Sequence, residues 1–289
     1  MPYSPRVKQS LRDLVTANHI LYHYGAVDGF GHVSVRNPDN PATYFISGYL
    51  APALVESEDD LIEYYIDGSA PVDSNASKGY SERFIHGELM KKYPGVNSVV
   101  HSHAEDVLPF VLGGSVPLFP VFHMGGFLGK KVPVWDISTL YRDDDIQDML
   151  VRNERLGQGL ASAFLADASA KDQTPSEPEG TVVLMKRHGF TTYGKDIATA
   201  IYRTLYTQTN ARAQTKGMLL QQASSATSAT SGEKVLGGLI DVGSTIEPLT
   251  ARHAEDCRKM NENTQDKAWR LWAREAEVNP LFKNNITLD

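Results

Sequence analysis

Between Ser81 and His103 the chain must end a helix and begin a strand with almost no room between them. Phe84, Ile85, Leu89 and Met90 recur at helical spacing, Ser81 is placed as the N-cap, and Pro94-Gly95 stops the run. Val96-Asn97-Ser98-Val99-Val100-His101-Ser102-His103 follows at once and reads as a strand. On a strand, His101 and His103 at i and i+2 leave the same face. Two imidazoles so placed can hold one divalent ion at about 2.0–2.1 Å from each nitrogen. A fold that uses them this way has to bring a third ligand from elsewhere.

The rest of the chain supplies short strands between helices. Residues 4–24 place Val7, Leu11, Leu14, Val15 and Leu21 at helical spacing, and Gly25 and the loop Val27-Asp28-Gly29-Phe30-Gly31 end that helix. Strand-like runs follow at 32–36, 43–47 and 61–66, the first two separated by Asn37-Pro38-Asp39-Asn40-Pro41 as in a hairpin. Meandering strands of this kind predict a largely antiparallel sheet. A helix is expected to begin near Ala104-Glu105-Asp106. Residues 181–186 and 190–193 read as paired strands around Arg187-His188-Gly189, and Asp196 caps a long helix through Ala200, Leu205 and Ala211 to about Leu220. No internal repeat is present, which argues against a solenoid or propeller.

Two stretches read as peripheral: 168–180, rich in Ser, Asp, Pro and Glu, as a solvent loop, and 221–234 as a mobile low-complexity tract. Residues 248–277 are again helical, with Leu249, Met260, Trp269, Leu271 and Trp272 as anchors. The tryptophans fit packing onto the main body or a neighbouring subunit better than ligand binding. The expected organisation is one domain over 1–222, a linker over 223–247 and a helical extension over 248–289 packed on the main domain.

His188, in a tight turn between two strands, is the leading candidate for the third metal ligand. Three neutral imidazoles with an open position make a Lewis-acid site able to polarise a carbonyl or enolate oxygen. Glu82 can approach the same site as general acid/base or as a fourth ligand. Each residue also has a plainer reading: His188 as a turn residue tolerant of unusual dihedrals, and Glu82 as ordinary capping and dipole chemistry. His19 and His23, four apart on the first helix, fit packing or surface roles, and His86 a structural hydrogen bond. The metallo-hydrolase pattern H-x-H-x-D-H is not met, and no phosphate- or dinucleotide-binding glycine motif or serine-hydrolase elbow appears.

Composition excludes other classes. No apolar run approaches the roughly 20 residues needed to cross a bilayer, and no apolar stretch follows the basic residues of the N-terminus. Cys257 is the only cysteine, which fits a reducing compartment. The formal charge of −7 argues against nucleic acid or an anionic membrane as partner. A soluble cytoplasmic protein acting on a small molecule is expected.

Four features together resemble the class II aldolase/adducin superfamily. These are Gly29-Phe30-Gly31-His32-Val33-Ser34-Val35-Arg36 after the first helix, Ser81-Glu82-Arg83-Phe84-Ile85-His86, Val99-Val100-His101-Ser102-His103, and Arg187-His188-Gly189 with Gly194 before a long helix. The match spans roughly residues 8–220. It implies an α/β fold of three α/β/α layers with a mostly antiparallel central sheet, usually a homotetramer. It also implies that His101, His103 and His188 hold a divalent ion, with zinc first and manganese, iron or cobalt as alternatives. Glu82 is then the catalytic acid/base, and His32, Ser34, Ser47 and Ser81 bind substrate. In such aldolases the metal holds a hydroxyl and a carbonyl of the substrate and stabilises the enediolate left when a carbon–carbon bond breaks.

The departures bear on substrate. Where the sugar-phosphate aldolases have Asn this chain has His32, and Tyr80 replaces the first of a paired serine before the glutamate. A phosphate pocket needs convergent donors, so a lost hydroxyl and a bulky ring argue against a sugar phosphate. His32 can instead pair with a carboxylate or phenolate. His123 stands where family aldolases present a tyrosine to the neighbouring site, as a proton donor or as a packed interface residue. The site resembles the superfamily's decarboxylases of hydroxylated aromatic acids. The expectation is a metal-dependent carbon–carbon lyase, of decarboxylase or aldolase type, acting on an unphosphorylated hydroxy-carboxylate or hydroxy-carbonyl compound. The alternatives are a non-catalytic adducin-like scaffold, an iron-dependent oxygenase and an epimerase on the same fold.

Overall fold

A computed structural model describes residues 3–113, 116–164, 176–231 and 246–288 of the protein. Ser4 caps α1 (Pro5–His23) by accepting from the Val7 N–H, with Pro5 at the first helical position, and Gly25 at φ +66° takes the chain out of it. Strands β1 (His32–Arg36), β2 (Thr43–Ser47) and β3 (Leu61–Tyr65) form an antiparallel meander. Helix α2 (Arg83–Lys92) and strand β4 (Ser98–Ser102) follow as the Pro94-Gly95 break requires. Next come α3 (Pro109–Leu112), β5 (Val134–Trp135), α4 (Glu154–Ala163), the hairpin β6 (Val182–Met185) and β7 (Gly189–Gly194), and α5 (Ile197–Ser231). Helices α6 (Ala251–Glu262) and α7 (Gln265–Val278) end the fold.

The seven strands form one sheet in the order β3-β2-β1-β4-β7-β6-β5, antiparallel throughout except for the β5–β6 pair. Strand alternation divides its two faces. Val33, Val35, Phe45, Val100, Val182, Leu184 and Phe190 share one buried core with α1 and α5. Tyr44, Ile46, Ile62, Val99, Val183 and Tyr193 share another with α2 and α4. The architecture is the three-layer α/β/α sandwich with a mostly antiparallel sheet that the sequence implies.

Four local expectations change. Ser81 is not the N-cap of α2: Glu82 occupies that position without a side-chain cap bond, because its carboxylate turns inward to the Val151 N–H. The residues after β4 form turns rather than a helix, and α3 starts only at Pro109, where a missing N–H costs nothing. Helix α5 does not stop near Leu220 but runs to Ser231, inside the expected 223–247 linker. The stretch after Leu220 is Ala, Ser, Thr and Gln with no glycine or proline before Gly232, so nothing breaks the helix. The C-terminal segment is two helices; Trp272 is buried while Met260 and Leu271 are exposed. Residues 165–175 of the loop region and 232–245 of the linker lie outside the described residues.

The start of β7 leaves no room for a side chain against the end of β4. A Cβ on Gly189 would stand 2.2 Å from the Ser102 carbonyl oxygen and 3.1 Å from His103 Cδ2. Neither the strand backbone nor the imidazole can yield without spreading the β4–β7 pair. Gly189→Ala is therefore expected to lower unfolding free energy by about 1–3 kcal/mol in urea titration. The same variant should disturb the His103 ring, and unchanged stability would show that the strands are not held this tightly.

Candidate metal and catalytic centre

The register of the three central strands assembles the site. His32 pairs with His101 across β1–β4, and His101 with Thr191 across β4–β7, so His32 and His101 leave the α2 side of the sheet together. Ser34 opposes Val99 two residues along the same face. His103 follows directly after β4. His188 sits in the β6–β7 turn, where Arg187 adopts φ +59° and the His188 N–H donates to the Met185 carbonyl. Glu82 enters at the start of α2. Ligand atoms of Glu82, His101, His103 and His188 lie within 4.8 Å of one another.

These four residues fit a divalent ion by their chemistry. His101 Nε2 is 2.9 Å from His103 Nε2 and 3.3 Å from His188 Nε2. Tetrahedral ligation with bonds of about 2.0–2.1 Å places ligand nitrogens roughly 3.3 Å apart. His101 Nδ1 faces the Phe190 carbonyl at 3.1 Å, an acceptor only, so that nitrogen carries the proton and Nε2 directs its lone pair at the other two rings. Three nitrogens converging in this way are better matched to a cation than to one another.

Burial sets the protonation of the group. It pushes His101 and His32 well below the usual imidazole range, with the neighbouring rings adding to the effect, and takes His188 down to about 4. The His103 pKa is lowered by burial and raised in part by Asp28. Glu82 moves the other way: burial raises its carboxyl to about 7, with the Asp148 charge adding to the rise and the Val151 N–H and Arg152 offsetting it in part. Its Oε2 stands 3.6 Å from His101 Nε2, 3.7 Å from His188 Nε2 and 4.0 Å from His32 Nε2. A carboxyl poised near neutrality beside neutral imidazoles can both hold and release a proton at ordinary pH.

The remaining candidates are placed unevenly. His32 is buried against this cluster, its ring 4.7 Å from Tyr80 and 5.1 Å from His101. The buried Ser34 hydroxyl meets His86 rather than the cluster, at 2.6 Å from Nδ1, so His86 has the hydrogen-bonding role read from sequence. Ser47 is buried at the end of β2. Burial raises the Tyr80 phenol, partly offset by the Ser47 hydroxyl beside it. Ser81 is exposed immediately before Glu82. His123 is exposed in a 3₁₀ turn, its ring against Phe122 and its carbonyl accepting from Asn261, and it does not join the cluster within this chain. His19 is a packed residue, stacked on Phe282 with Nε2 2.7 Å from the Val55 carbonyl.

The sequence reading missed the segment that positions Glu82 from the far side. The Val151 N–H binds Glu82 Oε1 at 3.0 Å, and Asp148 and Arg152 act on its charge. Nothing in residues 143–152 marks this locally, since the contact is made by backbone. In the folded protein, burial holds His86 neutral with its pKa lowered from 6.5 to about 3. The unfolded chain therefore binds a proton that the folded chain refuses between those values. The stability this ring contributes is complete above about pH 6.5 and is lost as pH falls toward 3. Urea titrations of metal-free protein should show an acid limb that is shallower in His86→Gln; identical limbs would contradict this.

The profile of the class II aldolase and adducin N-terminal domain matches residues 12–215. The chain is 40% identical over 274 residues to the decarboxylase tropJ of Talaromyces stipitatus, covering 95% of this chain and 96% of that one. It is 25% identical over 213 residues to a 3,4-dihydroxyphthalate decarboxylase of Arthrobacter keyseri, covering 72% and 78% respectively. Among solved structures, the L-fuculose 1-phosphate aldolase of Glaciozyma antarctica PI12 superposes with a TM-score of 0.64 at 16% identity, over 98% of this chain and 96% of its own. That last likeness is one of fold. By the extent of the profile match and the length of the tropJ alignment, the protein belongs to the class II aldolase and adducin family.

Proposed function

We propose that the protein is a metal-dependent carbon–carbon lyase that removes carbon dioxide from an unphosphorylated, hydroxylated aromatic acid. The observation that carries this reading is the placing of Glu82, with its carboxyl near neutrality, against three converging imidazoles. Two of the relatives are by name decarboxylases, one of a dihydroxylated aromatic acid. Tyr80 supports an unphosphorylated substrate: its ring packs on His32 and its hydroxyl donates to the Leu50 carbonyl at 2.6 Å, leaving a fixed apolar wall.

His101, His103 and His188 hold the ion, with zinc the first candidate. When bound it supplies a Lewis acid that draws electron density from a substrate oxygen. The chain's own residues do the rest. Burial lowers the pKa of all three imidazoles, so they stay neutral and bring no competing positive charge. As the carboxylate leaves, the carbon–carbon bond breaks, carbon dioxide departs and the electron pair stays on the ring carbon. Glu82 gives its proton to that carbon and regains one from water before the next turnover. His123, exposed and apart from the cluster, serves the neighbouring site of a homotetramer. The assembly works in the cytoplasm.

Anaerobic incubation with ortho-hydroxybenzoate, 3,4-dihydroxyphthalate and their relatives, scored by carbon dioxide release, tests the reading directly. Glu82→Gln should lower turnover by about 10²–10⁴-fold while retaining metal. His123→Ala should lose turnover, again with metal retained. Cleavage only of sugar phosphates, or an absolute need for oxygen, would refute the proposal.

A further inference from the structure

Among the described residues, three that are not glycine adopt positive φ, and two of them stand beside the metal cluster. Arg187, at +59°, precedes His188, and Met149, at +69°, lies two residues before Val151. A residue with a side chain enters this region at a cost and stays there only where its surroundings hold it. Met149 is held through its own backbone: its N–H donates to the Tyr141 hydroxyl oxygen at 2.8 Å. Both side chains also pack, partly buried, on the core shared with α2 and α4. From this kink the chain turns the N–H of the buried Val151 toward Glu82, where it donates to Oε1 at 3.0 Å.

Both bonds have one direction only, because a backbone N–H cannot accept. Oε1 is therefore tied back by Val151, and Oε2 is the oxygen that faces His101, His188 and His32 at 3.6, 3.7 and 4.0 Å. Glu82 makes no side-chain capping bond on its own helix, so a contact from another segment decides which oxygen turns to the imidazoles. The rest of that segment is braced without Tyr141. The Arg155 guanidinium binds the Leu140 carbonyl and the Asp145 carboxylate, and Asp148 accepts from the Leu150 N–H at 3.2 Å and from Arg152 Nε at 2.8 Å. None of these bonds involves Met149, so loss of the Tyr141 oxygen would free the kink and leave the braces in place.

We propose that Tyr141 is a positioning residue: by holding Met149 in its kink it aims the Val151 N–H at Glu82 Oε1 and keeps Oε2 turned to the reacting atoms. This rests on the reading of Glu82 as proton donor given above and deepens it.

Amide hydrogen exchange of the purified protein, read residue by residue by mass spectrometry without substrate, tests the coupling. Tyr141→Phe removes only the accepting oxygen, so exchange should quicken about tenfold at Met149 and at Val151 alike. Quickening at Met149 with Val151 unchanged overturns the proposal, as does no change at either. In kinetics with ortho-hydroxybenzoate, Tyr141→Phe should lower kcat by about 10–100-fold with KM and metal content unchanged. In the Glu82→Gln background the same substitution should cost no further turnover, since the group it positions is gone. A tyrosine that is merely structural lowers turnover equally in both backgrounds, and that result overturns the proposal too. Failure of every hydroxy acid as substrate would count against the lyase reading, while the exchange rates would still judge this one.

Discussion

The backbone register of β4 between β1 and β7 is the constraint on which everything else rests. It sets His32 opposite His101 and Ser34 opposite Val99, and it places the β6–β7 turn where His188 can face both. A slip of β4 by one residue would send His101 to the α1 face, into an apolar core with no partner for an imidazole. Gly189 permits the close β4–β7 approach, and Gly31, at φ +88° with 3.1 Å between its would-be Cβ and the His101 carbonyl oxygen, permits the same on the other side.

Holding His32, His86 and His101 together with Glu82 in one water-poor place is unfavourable in itself. The fold offsets this with hydrogen bonds, between His101 and the Phe190 carbonyl and between His86 and the Ser34 hydroxyl. The same arrangement that satisfies the polar groups also prepares them chemically. Neutral imidazoles point lone pairs inward, and the carboxyl is pushed toward neutrality by the same burial that neutralises the rings. Structural and catalytic demands are met by one set of contacts.

Much of this is legible in the sequence. His101 lies on β4 and His103 directly follows it, so the i, i+2 spacing read from sequence points both rings to one site, and the Pro94-Gly95 break ties that strand to the helix bearing His86. Strands with simple alternation, such as 32–36 and 43–47, are found at the residues expected. What could not be read was either too short to show a period, like Val134-Trp135, or made by backbone, like the Val151 contact to Glu82. Ser81 illustrates a third cause: local capping preference yields when the next residue is recruited into a buried site. The long α5 shows a fourth, since low complexity in Ala, Ser and Thr does not by itself end a helix.

The central claim is that His101, His103 and His188 form a metal site, and elemental analysis of the purified protein beside His103→Ala tests it most directly. The account predicts about one divalent ion per chain in the wild type, lost in the variant with its fold intact by circular dichroism. No metal in either protein after reconstitution with zinc, manganese, iron and cobalt, or equal metal in both, would contradict it.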